Sequence, residues 1–76
     1  MTQTLSRAVA AEIRAEMGRL QMSGASLAHG LGVSAAWVSY RINGRQEIGL
    51  DELERIAAVL RVPVLRLMPE QISAAA

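Results

Sequence analysis

The chain contains no cysteine, no lysine and no phenylalanine, and it has one tryptophan, one tyrosine, one histidine and two prolines. Without cysteine there is no disulfide framework and no thiolate zinc site, and His29 alone cannot supply a metal's ligands. One histidine and no carboxylate pair placed in a cleft leave nothing to build a reaction centre, so an enzyme, a metal and a cofactor are not expected. Scarce aromatics combined with 51% hydrophobic residues, many of them alanine, suit closely packed helices. Strands favour aromatic and β-branched residues instead. The predicted fold class is all-α.

Long apolar runs are absent as well. Arg7, Glu12, Arg14 and Glu16 interrupt the first helical turns, which excludes a signal-peptide core there. Residues 20–40 carry no formal charge, but four serines, three glycines, a glutamine and a histidine exclude a membrane span. The expected location is the cytoplasm. A length of 76 residues fits one small domain with a modest core and no large enclosed cavity. No small-molecule ligand is expected.

A net charge of +1 says nothing by itself about nucleic acid. Its distribution says more. No acidic residue lies between Glu16 and Glu47, whereas Arg19, Arg41 and Arg45 do; acids gather at Glu47, Asp51, Glu52 and Glu54. That pattern predicts a locally positive face beside a more acidic one.

Residues 1–4 read as a frayed start. From Leu5, apolar Leu5, Val9, Ile13, Met17 and Leu20 recur at three- and four-residue steps, an amphipathic helix with Arg7, Glu12, Arg14, Glu16 and Arg19 on its other side. Ser23 is the expected N-cap of a second helix over 24–30. Gly24 and Gly30 weaken that helix, so packing must hold it. Gly32 sits where a left-handed residue ends a helix. Ser34 then caps a third helix over 35–42, with Val38 and Ile42 facing in, Ala36, Ser39, Tyr40 and Asn43 facing out, and Asn43-Gly44 as the stop. Ile48 is expected to tuck into the core. A fourth helix over 50–60 shows Leu50, Leu53, Ile56, Ala57 and Leu60 in period, with Gly49 as a weak cap and Asp51 and Glu52 favouring the dipole. Val62-Pro63 ends it. Residues 63–68 are predicted to form a last short helix returning Leu65 and Met68 to the core, and 69–76 a tail with little to bury. The domain is therefore expected over 5–68.

The run Leu27-Ala28, Leu31-Gly32-Val33-Ser34, Val38-Ser39 and Asn43-Gly44, followed by Asp51-Glu52-Leu53-Glu54-Arg55-Ile56-Ala57, Leu60 and Val62-Pro63, resembles the Cro/phage-repressor (Xre-like) helix-turn-helix family. The resemblance spans nearly the whole chain and implies a compact five-helix domain whose second and third helices form the DNA-binding motif. Its framework would be Leu27, Ala28, Leu31, Gly32, Val33, Val38, Ile42 and Gly44. In such proteins the second motif helix enters the major groove. Carried over by position, Ala35, Ala36, Ser39 and Tyr40 face bases, while Ser34, Asn43 and Arg45 meet the phosphate backbone, as could Arg19.

Each of these positions has a plainer alternative. Tyr40 is either an exposed aromatic or a DNA contact, and its outward place favours contact. Ser39 either reads a base or bonds back to its own helix. Trp37 either packs only or also turns its indole N–H to a phosphate. Asn43 can cap the helix with or without touching phosphate. Arg41 stands where the family usually has an apolar residue, free to reach bases or phosphates or to pair with Glu47. Gly24 replaces the family's common glutamine, and alanine occupies two reading positions. Weight therefore shifts to Tyr40, Arg41, backbone contacts and DNA shape.

The function these features imply is a sequence-specific double-stranded DNA-binding regulator, a small phage-type repressor acting as a homodimer on a pseudo-palindrome. Val64, Leu67 and Ile72 form the dimer surface, or else cap the core. The alternative is an antitoxin that neutralises a partner toxin and binds its own operator.

Overall fold

The computed structural model describes residues 4–69. Among them are four α-helices and a closing 3-10 turn: α1 (Leu5–Leu20), α2 (Gly24–Leu31), α3 (Ala35–Ile42), α4 (Leu50–Leu60) and the turn Val64–Leu67. The helix starts follow from side-chain caps. The hydroxyls of Thr4, Ser23 and Ser34 accept the N–H groups of Arg7, Ser26 and Trp37 at 3.2, 3.0 and 3.1 Å, each satisfying a donor that the first turn leaves unpaired. Gly49 has no side chain to do this. There the Glu52 carboxylate reaches back to accept the Gly49 N–H at 3.0 Å.

One core joins all the elements. Val9, Ile13 and Met17 of α1, Leu27, Ala28 and Leu31 of α2, Val38 of α3, Leu53, Ile56, Ala57 and Leu60 of α4, and Leu67 of the closing turn are buried together. Met22, Val33, Trp37, Ile42, Ile48 and Val59 pack against their edge. At Gly30 α2 approaches α4 closely, for a Cβ at that position would lie 2.9 Å from Val59 Cγ1. The glycine that weakens α2 as a helix thus lets the two helices meet.

Two expectations are corrected. The predicted fifth helix over 63–68 is a single 3-10 turn, closed by Arg66 N–H to Pro63 O at 2.9 Å and Met68 N–H to Leu65 O at 3.2 Å. The five residues between Pro63 and Pro69 are too few for an α-helix. The three-residue period of a 3-10 turn puts Val64 and Leu67 on one side. Leu67 is therefore fully buried, the core-capping one of its two expected roles, whereas Leu65 is 67% exposed and not returned to the core; Met68 packs against the core as expected. Leu67 is a core residue and not part of a dimer surface; Ile72 lies outside the described residues.

The ends of the apolar stripes also stay in solvent: Leu5, Leu20 and, at 77%, Leu50 are exposed. Glu16, expected on the solvated face of α1, is buried beside Met17 and held by Arg19 and Arg66.

Candidate nucleic-acid interface

The turn between α2 and α3 fixes how α3 is presented. Gly32 adopts φ +74°, a left-handed conformation that costs glycine no Cβ clash. Its N–H and that of Val33 return to the carbonyls of His29 and Ala28 at 3.2 and 3.0 Å, closing the end of α2. Val33 packs against the core edge, and Ser34 starts α3 one residue later.

Of the eight residues of α3 only Val38 is fully buried, with Ile42 half-buried beside it. Ala35, Ala36, Ser39 and Tyr40 are exposed, as are the flanking Ser34, Asn43 and Arg45. The predicted reading positions thus lie on one open side of the helix, where Tyr40 leaves 51% of its surface in solvent. The Asn43 amide donates to Ser39 Oγ at 3.2 Å, and the Asn43 N–H bonds to Ser39 O at 3.1 Å. Asn43 is the C-cap, and the Ser39 hydroxyl serves that cap while facing outward. Gly44, at φ +77°, turns the chain away, and the N–H groups of Arg45 and Gln46 both bond to the Tyr40 carbonyl at 2.8 and 3.1 Å. Arg45 therefore sits in a short, hydrogen-bonded loop at the foot of the reading face.

Trp37 and Arg41, four residues apart, occupy the flank of α3. Trp37 packs against the core edge. Arg41 was expected to be free or paired with Glu47; the structure holds it on Glu52 instead. Its Nε donates to Glu52 Oε1 at 3.0 Å, its Nη2 to Oε2 at 3.2 Å and its Nη1 to the Trp37 carbonyl at 3.3 Å. The guanidinium carbon lies 3.8 Å from the Trp37 ring centroid, a stacked cation–π contact. The Arg41 hydrogen bond, then that of the Gly49 N–H, holds the Glu52 carboxyl below its ordinary pKa.

Arg19 is likewise engaged. It donates from Nε to Glu16 Oε1 at 3.2 Å, while its side chain remains 56% exposed. That hydrogen bond foremost, with help from Arg66 and against desolvation, lowers the Glu16 pKa.

Three further residues position the motif and carried no signal in the sequence. Arg14 of α1 donates to the Ile42 carbonyl at the end of α3. Arg55 of α4 donates to the Leu31 carbonyl at the end of α2 at 3.1 Å. Both arginines meet helix C-termini, where unpaired carbonyls and the dipole favour a cation. Ser6 Oγ accepts the Ile48 N–H at 2.9 Å and anchors the loop before α4. Among the described residues no group of three or more His, Cys, Asp or Glu could hold a metal ion, and no helix is long and apolar enough to cross a membrane.

The helix-turn-helix family matches residues 11–67, three-quarters of the chain. The chain belongs to the Cro/C1-type, Xre-like helix-turn-helix family. Among curated protein sequences none matches. Among solved structures, the clp gene regulator ClgR from C. glutamicum superposes with a TM-score of 0.87 at 23% identity, over 99% of this chain and 97% of that chain, which shows the fold. The hypothetical transcription factor NHTF from Neisseria gives 0.82 at 26% identity, over 97% and 87%. HppE in its Fe(II) form gives 0.79 at 33% identity, but over 87% of this chain and only 35% of that one. The helix-turn-helix unit is thus also similar to about a third of a larger chain.

Proposed function

We propose that this member of the family is a sequence-specific double-stranded DNA-binding transcription regulator, with α3 as the helix that enters the major groove. The observation that carries the reading is the open face of α3. Ala35, Ala36, Ser39 and Tyr40 project together from a helix whose opposite side is fixed in the core by Val38 and Ile42. A helix exposed on one side and rigidly seated on the other fits a groove about 12 Å wide. Ala35 and Ala36 offer methyl contact to thymine, while Ser39 and Tyr40 offer hydroxyls to base edges. Ser34, Trp37, Asn43 and Arg45, with Arg19 from α1, are assigned to the phosphate backbone, which positions the helix without reading sequence.

The family and the resemblance to ClgR and NHTF, named as a gene regulator and a transcription factor, support the same reading. We assign a homodimer on a pseudo-palindrome, its half-sites about 34 Å apart as in other helix-turn-helix dimers, in the manner of a small phage-type repressor.

Selection of sites from random-sequence duplex DNA by the purified protein tests this. The expected result is a recoverable palindrome, bound with an affinity that falls steeply as salt rises. Binding no tighter to selected sites than to random DNA at physiological salt contradicts it.

A further inference from the structure

α3 contains a single cation, Arg41, and the fold turns it away from the face that the proposed function assigns to DNA. All three guanidinium nitrogens are committed: two to Glu52 and one to the Trp37 carbonyl. The indole ring covers one side of the group at 3.8 Å, and only 14% of the Arg41 side chain remains exposed. Glu52 is in turn fixed, since its Oε1 also accepts the Gly49 N–H at the start of α4. Position 41 follows directly on Tyr40, so a released arginine there borders the reading face.

We infer that Glu52 is a positioning residue that acts through Arg41 to limit sequence-independent affinity, holding the one positive charge of α3 against Trp37 and α4 so that the helix meets DNA with an uncharged reading surface. The inference rests on the DNA-binding reading above. Its physical logic is competition for the same guanidinium. A carboxylate and a phosphate both suit the planar fork of arginine, and Glu52 keeps it from the phosphate. An arginine free to reach phosphates strengthens binding to every sequence alike and adds no discrimination between them. By pairing Arg41 internally, the fold suppresses that term and leaves recognition to Ala35, Ala36, Ser39 and Tyr40.

The test uses the full chain, Glu52→Gln and Arg41→Gln, each titrated by fluorescence anisotropy against a random-sequence duplex and against the selected operator over a salt series. Glutamine at 52 retains an oxygen for the Gly49 N–H but loses the charge that holds Arg41. Glu52→Gln is expected to bind random DNA more tightly, with a log-affinity against log-salt slope steeper by about 0.9, one extra phosphate contact. Binding to the selected operator is expected to tighten by the same factor, leaving the operator-to-random ratio unchanged, because a phosphate contact does not discriminate between sequences. Arg41→Gln is expected to leave the wild-type slope unchanged, because Arg41 does not meet phosphate in the wild type, and it carries the test if Glu52→Gln fails to fold. A slope for Arg41→Gln shallower by about 0.9, an unchanged slope for Glu52→Gln, or an equal loss of affinity on both DNAs overturns the inference. Absence of any operator preference in the wild type defeats the DNA-binding reading itself, and the inference with it. With that preference intact, the slopes decide the inference alone.

Discussion

Helices α3 and α4 are made from similar material and held in different ways. α4 buries Leu53, Ile56, Ala57 and Leu60 among its eleven residues, whereas α3 buries Val38 alone among its eight. Burial of apolar surface at roughly 25 cal/mol per Å² secures α4 along its length. An isolated eight-residue helix is marginal in water, and α3 is secured chiefly at its ends and flank. Ser34 caps its start, Arg14 takes the Ile42 carbonyl at its finish, and the Arg41–Glu52 pair ties its side to α4. The difference teaches how a small domain can free a helical face. Polar anchors at the termini do what a second row of buried side chains does in α4, and the row left over remains available to a partner.

Substitutions that separate stability from binding can break this contrast. Ile56→Ala, in the fully buried row of α4, is expected to cost about 2–5 kcal/mol, measured by urea unfolding. A loss near zero would mean that α4 is not the secured element. Gly32→Val places a β-branched residue at φ +74°, in a spot where a Cβ meets no atom within 4 Å. Backbone strain alone should then cost about 1–3 kcal/mol, and a silent substitution would mean that the turn does not fix α3.

A smaller effect concerns acid. Glu52 and Glu16 have pKa values lowered from the ordinary 4.5, each chiefly by an arginine's hydrogen bond. A carboxylate whose folded pKa is depressed stabilises the fold above its unfolded pKa, and loses that contribution as pH falls through the folded one. Thermal stability is therefore expected to decline below about pH 4.5, with a shallower decline in Glu52→Gln. An equal decline in both would remove the Arg41–Glu52 pair from the anchoring of α3.

The framework of this fold was legible because local chemistry specifies it. Ser23 and Ser34 as caps, Gly32 as the left-handed stop, Asn43 as the end of α3, and the apolar periods of α1 and α4 all reside in single residues or short spacings. What was illegible depended on distance along the chain. Arg14, Arg55 and Glu52 act on carbonyls or charges 28, 24 and 11 residues away, and no local pattern reports such pairings. Arg41 shows the consequence most clearly, since its spacing left it free and its tertiary partner occupies it. The left-handed caps that close α1 and α4 were hidden for another reason. Gln21 and Arg61 take left-handed conformations at φ 56° and 59°, a role that sequence usually signals by glycine. The misjudged closing turn came from reading an α period into a segment too short to sustain one. The reading face itself was legible as a set of outward positions on α3, while its proposed chemistry toward DNA comes from the family resemblance.

Tyr40→Ala gives the most direct measurement. The ring lies on the open face and is about half exposed, so its removal should change folding stability by no more than ~0.5 kcal/mol. Affinities of the wild type and the variant for the selected operator and for random duplex DNA would be compared at one salt concentration. The expected result is a loss on the operator, with binding to random DNA unchanged. A parallel loss on both DNAs, or no loss on either, would contradict the claim that the exposed face of α3 reads sequence.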